Sequence, residues 1–285
     1  MTDKPFISIV VVTFNSEYCV KDCLFSIYSQ DPRADVVVVD NNSADNTARV
    51  ISEAFPWARL IRNNKNLGAC KARNQGIDSC SGEWVLTLDC DCRLGEGFMQ
   101  KMAYFLEALP DNAGMIQPKI VMADKRTIYS CGIYLSRFFN RFYDIGKGEP
   151  DSNASCDKKI TGVCSAAALY RRKMLDVLKE PTGYFDERFF FLAEDVDLSW
   201  RASKKGWNAL FFPEAVCFHD GNSSSSSRHL RQFLCFRNRF YSIKKNSGLS
   251  AYFLKAIPVL FYDIPRAVYM LLTNPLIYKP AKNRI

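Results

Sequence analysis

The chain has 285 residues, 48% of them hydrophobic, with 38 Lys/Arg against 30 Asp/Glu, enough apolar material for a packed core and too much for a mostly disordered polypeptide. Residues 225–285 hold eleven Lys/Arg and a single acid, Asp263, leaving residues 1–224 at about −2. This argues against a uniformly basic nucleic-acid binder; a basic, aromatic-rich end on a near-neutral body fits an anionic membrane face, or a plain solvated helix surface.

The opening Met-Thr-Asp-Lys-Pro-Phe has no basic n-region, h-region or cleavage site. Eleven cysteines form an odd set without a Cys-x-x-Cys pair, so neither a disulfide framework nor a zinc site is expected and the location reads as cytoplasmic and reducing. Residues 7–14, Ile-Ser-Ile-Val-Val-Val-Thr-Phe, form a β-branched run suited to a strand buried on both faces. A helical pattern follows from Val20 to Tyr28. A second strand, Val36 to Val39, runs into Asp40-Asn41-Asn42-Ser43, a helix continues to Phe55, and Leu60-Ile61 reads as a third strand. Alternation of this kind predicts right-handed βαβ units, whose ligands sit beyond the carboxyl ends of the strands. Thr13, Asn15, Asp40, Asn42 and the pair Asp89/Asp91 then share one crevice.

After Asn66-Leu67-Gly68 a short helix carries Lys71 and Arg73, two cations near a helix N-terminus and so suited to diphosphate oxygens. Asp89-Cys90-Asp91 follows the apolar run Trp84 to Leu88; carboxylates one residue apart at a strand end offer a hard divalent cation oxygen ligands and leave positions open for phosphate. The adjacent thiols Cys90 and Cys92 are not read as ligands. Residues 137–160 read as a long loop or lid. In the second half, Glu194, Asp195 and Asp197 open an amphipathic helix behind Phe189-Phe190-Phe191. The helix dipole favours acids there, and the aromatic wall raises a carboxylate into the range of a usable base. Asp197 reads as structural.

His219 closes a last strand and precedes Gly221-Asn222 and five serines, which makes it a candidate third cation ligand. From residue 228 a helix places Arg237 inside an apolar stripe, where it needs a phosphate or a carboxylate partner. Ala256 to Leu276 is the most apolar stretch near the end, but Pro258, Asp263, Pro265, Arg266 and Asn274 interrupt it, so it is expected to lie on a membrane rather than span one.

These motifs occur in order from about Ile7 to Lys245: Val12-Thr13-Phe14-Asn15, Val39-Asp40-Asn41-Asn42-Ser43, Asn66-Leu67-Gly68 with Arg73-Asn74, Asp89-Cys90-Asp91, Phe185-Asp186-Glu187 with Glu194-Asp195-Val196-Asp197, His219, and Arg237-Asn238. Together they resemble inverting family 2 glycosyltransferases of the GT-A fold, most closely the bacterial rhamnosyltransferase-like members. The resemblance implies an α/β fold of two abutting Rossmann-like βαβ halves around a mostly parallel central sheet, with a basic amphipathic helical C-terminal tail. Residues 1–245 would form the transferase domain, with 1–95 binding the nucleotide sugar and 96–245 holding acceptor and catalytic groups, and residues 246–285 would associate with a membrane.

It further implies that Thr13, Asn15, Asp40, Asn42 and Arg73 hold the nucleoside side of the donor, with Lys71 and Arg237 near its phosphates. Asp91 would ligate Mg²⁺ or Mn²⁺, helped by His219, while Asp89 contacts ribose, sugar or metal. Asp195 would be the base and Glu194 its orienting partner, with roles exchangeable. The implied partners are a dTDP-rhamnose or UDP-sugar donor, a saccharide or lipid-linked saccharide acceptor and the inner face of the cytoplasmic membrane, with no nucleic acid. Two competing readings remain: a nucleotidyltransferase, which would carry a Gly-rich basic loop in place of Asn15-Ser16-Glu17, and a non-catalytic saccharide-binding module, which would not need the carboxylates. A dinucleotide dehydrogenase is set aside, since no Gly-x-Gly-x-x-Gly follows the first strand.

Overall fold

The computed structural model describes residues 7–136, 141–153, 159–221, 227–248 and 258–278. Its first strand, β1 (Ile7–Thr13), is buried almost throughout. It pairs in parallel with β2 (Asp35–Asp40) on one side and β4 (Trp84–Asp89) on the other, and β3 (Arg59–Arg62) extends the sheet beyond β2. The helices α1 (Val20–Tyr28), α2 (Thr47–Ala54) and α3 (Gly68–Ser79) make the crossovers. Because the pairing sets Thr13 opposite Asp40 and Val12 opposite Asp89, the carboxyl ends of all three strands arrive at one edge.

Past β4 the order becomes β10 (Ala167–Arg171), β6 (Ala113–Met122), β11 (Asn208–His219) and β5 (Cys92–Leu94). Strand β10 runs antiparallel to both neighbours, β6 and β11 are parallel, and β5 returns antiparallel to β11. The short β7 (Ile128–Ser130) pairs with β6, and β8 (Ile133–Ser136) with β9 (Arg141–Asp144) forms a separate two-stranded ribbon.

Strand side chains alternate between two cores, as period-two geometry requires. Ile9, Val11, Val36 and Val38 face α1, α2 and α4 (Phe98–Glu107), whereas Val10, Val37 and Val39 face α3, α5 (Arg172–Leu178) and α6 (Glu194–Lys204). The second face is packed closely: a Cβ on Gly76 of α3 would lie 2.3 Å from a Val10 methyl, so only glycine lets α3 sit this near β1.

Helix α7 (Arg228–Asn246) lies against α6 and is tied to it by ions. Asp186 and Asp197 have no exposed side-chain surface; Lys245 bonds them at 2.8 and 3.0 Å, and Arg201 and Asn246 reach Asp197 at 2.9 and 2.8 Å. Burial alone would raise Asp186, but Arg188 and Lys245 hold it well below the usual carboxylate range. A π-helical turn, Val259–Asp263, and α8 (Ile264–Thr273) dock on α7 through a buried Asp263–Arg239 pair at 2.8 Å and an Asn274 bond to the His229 carbonyl, also 2.8 Å. Among the described residues no helix is long and apolar enough to cross a membrane.

Nine described cysteines are free, and Cys131, between β7 and β8, is disulfide-bonded. Spacing alone does not tell which two distant thiols a fold brings within the short reach of a disulfide.

Candidate active site

At the ends of β1 and β2 a turn is organised around one carboxylate. Asp40 accepts from the Thr13 hydroxyl at 3.0 Å and from the hydroxyl and N–H of Ser43 at 2.5 and 3.2 Å. Asn15 donates its N–H to Ser43 and accepts from Ala44, at 2.9 and 2.7 Å. Both Asn15 and Asn42 are left-handed (φ 52° and 68°), a conformation asparagine tolerates better than most residues. Thr13 and Asp40 are buried, so they shape this turn from behind; Val12, Phe14, Ser16 and Asn41 are the neighbours that face the adjoining cavity.

That cavity has a volume of about 680 Å³, and four of the sequence-predicted residues line it: Arg73, Asp89, Glu194 and Asp195. Arg73 joins the others. From α3 its guanidinium donates to Asp89 at the end of β4, at 2.8 Å, and to Glu194 at the start of α6, 121 positions away. Arg73 and Glu194 are 5% and 4% exposed, so this is an ion pair taken out of water. Burial works against the charge on Arg73, but Asp89 and Glu194 outweigh it and fix the protonated form. The second oxygen of Glu194, Oε2, is buried without a hydrogen-bond partner.

Asp195 accepts from the Ser165 N–H at 3.2 Å and from the Val196 N–H at 2.8 Å. Its carboxyl is pushed up to about 7, first by burial and then by the charge of Glu194, with Asp144 adding to them and the Ser165 N–H and Arg73 opposing. Such a group exchanges protons near neutral pH, as a general base must.

The chain reaches these acids through a strained path. Phe190 has φ 68° and ψ −66°, and the Phe191 N–H donates to the Phe189 carbonyl at 2.9 Å, which makes a γ-turn of the rare positive-φ kind. Leu192 and Ala193 are also left-handed (φ 71° and 66°). Three non-glycine residues of this kind cost roughly 1–3 kcal/mol each, and the surrounding contacts must offset that.

A second group lies where β5 meets β11. The pairing sets His219 opposite Cys92, and His219 Nε2 comes to 3.6 Å from Asp91 Oδ1. Donor atoms of Asp91, Cys92 and His219 all fall within 4.8 Å of one another, and all three residues are buried. Tyr129 stacks on the imidazole at 4.2 Å, and His219 Nδ1 has no hydrogen-bond partner. A buried carboxylate and a buried imidazole nitrogen this close fit a divalent cation. Two points differ from expectation: Asp89 is bound to Arg73 and is not in this group, and Cys92, read from sequence as standing apart, is in it. Cys90 does stand apart, donating to the Ser16 hydroxyl at 3.1 Å. Burial, reinforced by Cys217, pushes the Cys92 thiol well up, so it is a protonated neighbour of the pair.

Two cations predicted for the phosphates are engaged elsewhere. Lys71 bonds Glu187 at 2.8 Å, and Arg237 donates to the carbonyls of Arg188 and Phe189 at 3.1 and 2.8 Å while lying over the rings of Phe233 and Tyr241. Neither lines the cavity. Main-chain carbonyls are the partners that sequence reasoning left out for Arg237, because a carbonyl carries no sequence signal.

The model of the family described as "Glycosyl transferase family 2" matches residues 8–178, more than half of the chain. The chain belongs to glycosyl transferase family 2. Within the family it is 26% identical over 242 residues to an N-acetylglucosaminyl-diphospho-decaprenol L-rhamnosyltransferase of Mycobacterium tuberculosis, covering 77% of this chain and 76% of that one. It is also 26% identical over 262 residues to an N-acetylglucosaminyltransferase of Sinorhizobium fredii, covering 87% and 62%. With glycosyltransferase AglE of Haloferax volcanii it shares 32% over 103 residues, 34% of each protein; the chain thus spans about a third of one relative and about three quarters of another.

Solved structures of similar fold include the mannosyltransferase PcManGT of Pyrobaculum calidifontis in complex with GDP-Man and Mn²⁺ (TM-score 0.59, 19% identity, 95% of this chain and 75% of that one). Another is S. aureus TarS 1-349 in complex with UDP (TM-score 0.56, 19% identity, 86% and 68%). The architecture is the GT-A fold, a mixed α/β sheet with helices at the C-terminal end, as the motifs predicted. Sequence reasoning within this family-2 chain gave no site role to Ser165, whose N–H bonds Asp195, or to Asp144 of the β8–β9 ribbon, which lines the cavity. The small-residue run Ser165 to Ala168 was the available signal for close backbone approach; Asp144 offered none.

Proposed function

We propose that this protein is a metal-dependent inverting glycosyltransferase that moves a sugar, rhamnose in the favoured case, from a nucleoside-diphosphate donor to a saccharide or lipid-linked saccharide in surface-polysaccharide assembly. The observation that carries the reading is the Arg73 bridge between Asp89 and Glu194, with a carboxyl of raised pKa, Asp195, beside it in one cavity. In a single displacement the acceptor hydroxyl oxygen attacks the anomeric carbon, its proton passes to Asp195, and the bond from that carbon to the diphosphate oxygen breaks with its electron pair leaving on the diphosphate. Glu194, fixed by Arg73, orients the base or the acceptor. Arg73 also supplies fixed positive charge near the departing group.

Asp91 and His219 are the residues that would hold the cation, Mn²⁺ or Mg²⁺, whose chemistry when bound is to neutralise charge developing on the diphosphate. An imidazole ligand favours Mn²⁺ over Mg²⁺, which prefers oxygen. The Mn²⁺ in the PcManGT complex supports a metal at this kind of fold, and the names of the mycobacterial and rhizobial relatives support rhamnose or N-acetylglucosamine as the sugar and a lipid-linked acceptor. Residues 1–95 are assigned to the donor, 96–245 to acceptor and catalysis, and 246–285 to the inner face of the cytoplasmic membrane. Support for the last comes from exposed Leu260, Phe261, Leu271 and Leu272 near basic Arg266.

The test is a binding and hydrolysis screen of sugar nucleotides with Mg²⁺, Mn²⁺ or EDTA, on wild type, Asp91→Asn and Asp195→Asn. Metal-dependent binding of one donor that Asp91→Asn abolishes, with slow donor hydrolysis that Asp195→Asn abolishes, is expected. No binding of any sugar nucleotide, with or without metal, overturns the reading.

A further inference from the structure

The loop that delivers Glu194 and Asp195 is held from the side by one residue. Asn238, midway along α7, has no exposed surface. Its carboxamide nitrogen lies 3.0, 2.9 and 2.7 Å from the carbonyls of Phe189, Phe191 and Leu192, so two N–H groups serve three acceptors. Its carboxamide oxygen accepts from Arg237 Nε at 2.9 Å, and Arg237 donates onward to the same stretch of main chain. On the opposite side the Cys70 N–H of α3 donates to the Phe190 carbonyl at 3.1 Å, and Gly68 leaves no room for a side chain against Phe190, where a Cβ would come to 2.4 Å. These bonds act on the segment that contains the γ-turn and the left-handed pair Leu192-Ala193, immediately before α6.

A strained main chain persists only where its surroundings over-determine it. We propose that Asn238 is a positioning residue: its buried carboxamide braces the strained carbonyls of residues 189–192 and so fixes where Glu194 and Asp195 enter the cavity. The inference rests on the transferase reading above for its chemical consequence, though not for the brace itself. No other side-chain type reproduces the arrangement. Aspartate is isosteric but sets a carboxylate against three carbonyl oxygens, leucine donates nothing, and glutamine carries the amide one methylene too far. Because α7 and its capping residue Ser227 also contribute to the cavity wall, through Ser227, Leu230 and Cys235, one helix both lines the site and holds its acids.

The groups facing Asp195 set what a loosened brace does to it. They are Glu194 of α6, Asp144 of β9, Arg73 and Cys70 of α3, Tyr170 of β10, and Cys164. Burial contributes most to the raised carboxyl, so a loop that admits water lowers it.

The experiment compares wild type, Asn238→Asp and Asn238→Ser, the last keeping a single hydroxyl donor in case Asn238→Asp does not fold. Amide hydrogen exchange is followed over residues 188–197, with β1 and β4 as internal references, and the pH dependence of kcat for sugar transfer is recorded on each folded variant. The expected result is exchange in 188–197 faster by about tenfold or more with the references unchanged. With it should come kcat lower by about 10- to 100-fold, donor KM within about twofold, and an acidic limb displaced downward from its wild-type position near 7. Unchanged exchange in both variants overturns the brace. Faster exchange with the acidic limb in its wild-type place, or a loss confined to KM, overturns the positioning role. If wild type transfers sugar from no nucleotide donor, the transferase reading falls, and the exchange data alone decide the brace.

Discussion

Replacing Asp195 by asparagine should abolish catalysis and, at alkaline pH, stabilise the protein. The carboxyl stands at about 7 in the folded chain against an ordinary value of 3.8, so between these limits the folded state holds a proton that the unfolded chain has released. Stability from this group therefore falls as pH rises from about 4 to about 7 and is level above that. A span of about three pH units at about 1.36 kcal/mol each gives about 4 kcal/mol as the upper limit, of which roughly 1.5 is already lost by pH 5. Asparagine avoids this loss, but its one carbonyl oxygen cannot serve both the Ser165 and Val196 N–H groups, a cost of about 1–3 kcal/mol that does not vary with pH. The variant should thus match the wild type at pH 5 and exceed it by about 2 kcal/mol at pH 8.5. Urea denaturation of both proteins at the two pH values measures this, provided the m-values agree. The same difference in midpoint at both pH values would refute the argument, because the carboxyl would then be an ordinary ionised group.

Arg73→Met removes the ion-pair partner of both Asp89 and Glu194 and leaves two carboxylates facing a methyl group; a loss of about 3–5 kcal/mol is expected, read as a drop in thermal midpoint, and a loss below about 1 would show that the bridge is solvated. Deleting residues 250–285 should abolish flotation with liposomes containing anionic lipid at low salt, while flotation equal to the full chain would remove the tail from membrane binding.

The β-branched runs were legible because parallel strands buried on both faces leave little freedom in composition, and Asp89, Asp91, Glu194, Asp195 and His219 were legible because acids and histidine at element ends stand out from that background. What joins them was not. The Arg73–Glu194 contact spans 121 positions, and the insertion of antiparallel β10 between β4 and β6 is a pairing between distant segments that no local periodicity records. Asn238 looked like one polar residue on an amphipathic helix, since its partners are carbonyls supplied by every residue type. Asp40 read as an open ligand; in the fold its oxygens are already bonded to Thr13 and Ser43. The departure of Cys92 has the same origin, for its position near His219 depends on the β5–β11 pairing rather than on its neighbours in sequence.

That pairing also governs how the protein tolerates change in length. Between Phe212 and Val216 strand β11 slips its register against β6, then resumes with Val216, Cys217, Phe218 and His219 opposite Lys119, Ile120, Val121 and Met122. In a strand the faces alternate residue by residue, so removing one residue after the irregularity would turn the imidazole away from Asp91, while a change absorbed within Pro213–Ala215 leaves it in place. The irregular stretch is an adjustable joint and the four residues after it are a fixed gauge. Insertions and deletions within β11 that preserve the approach of His219 to Asp91 are therefore confined upstream of Val216.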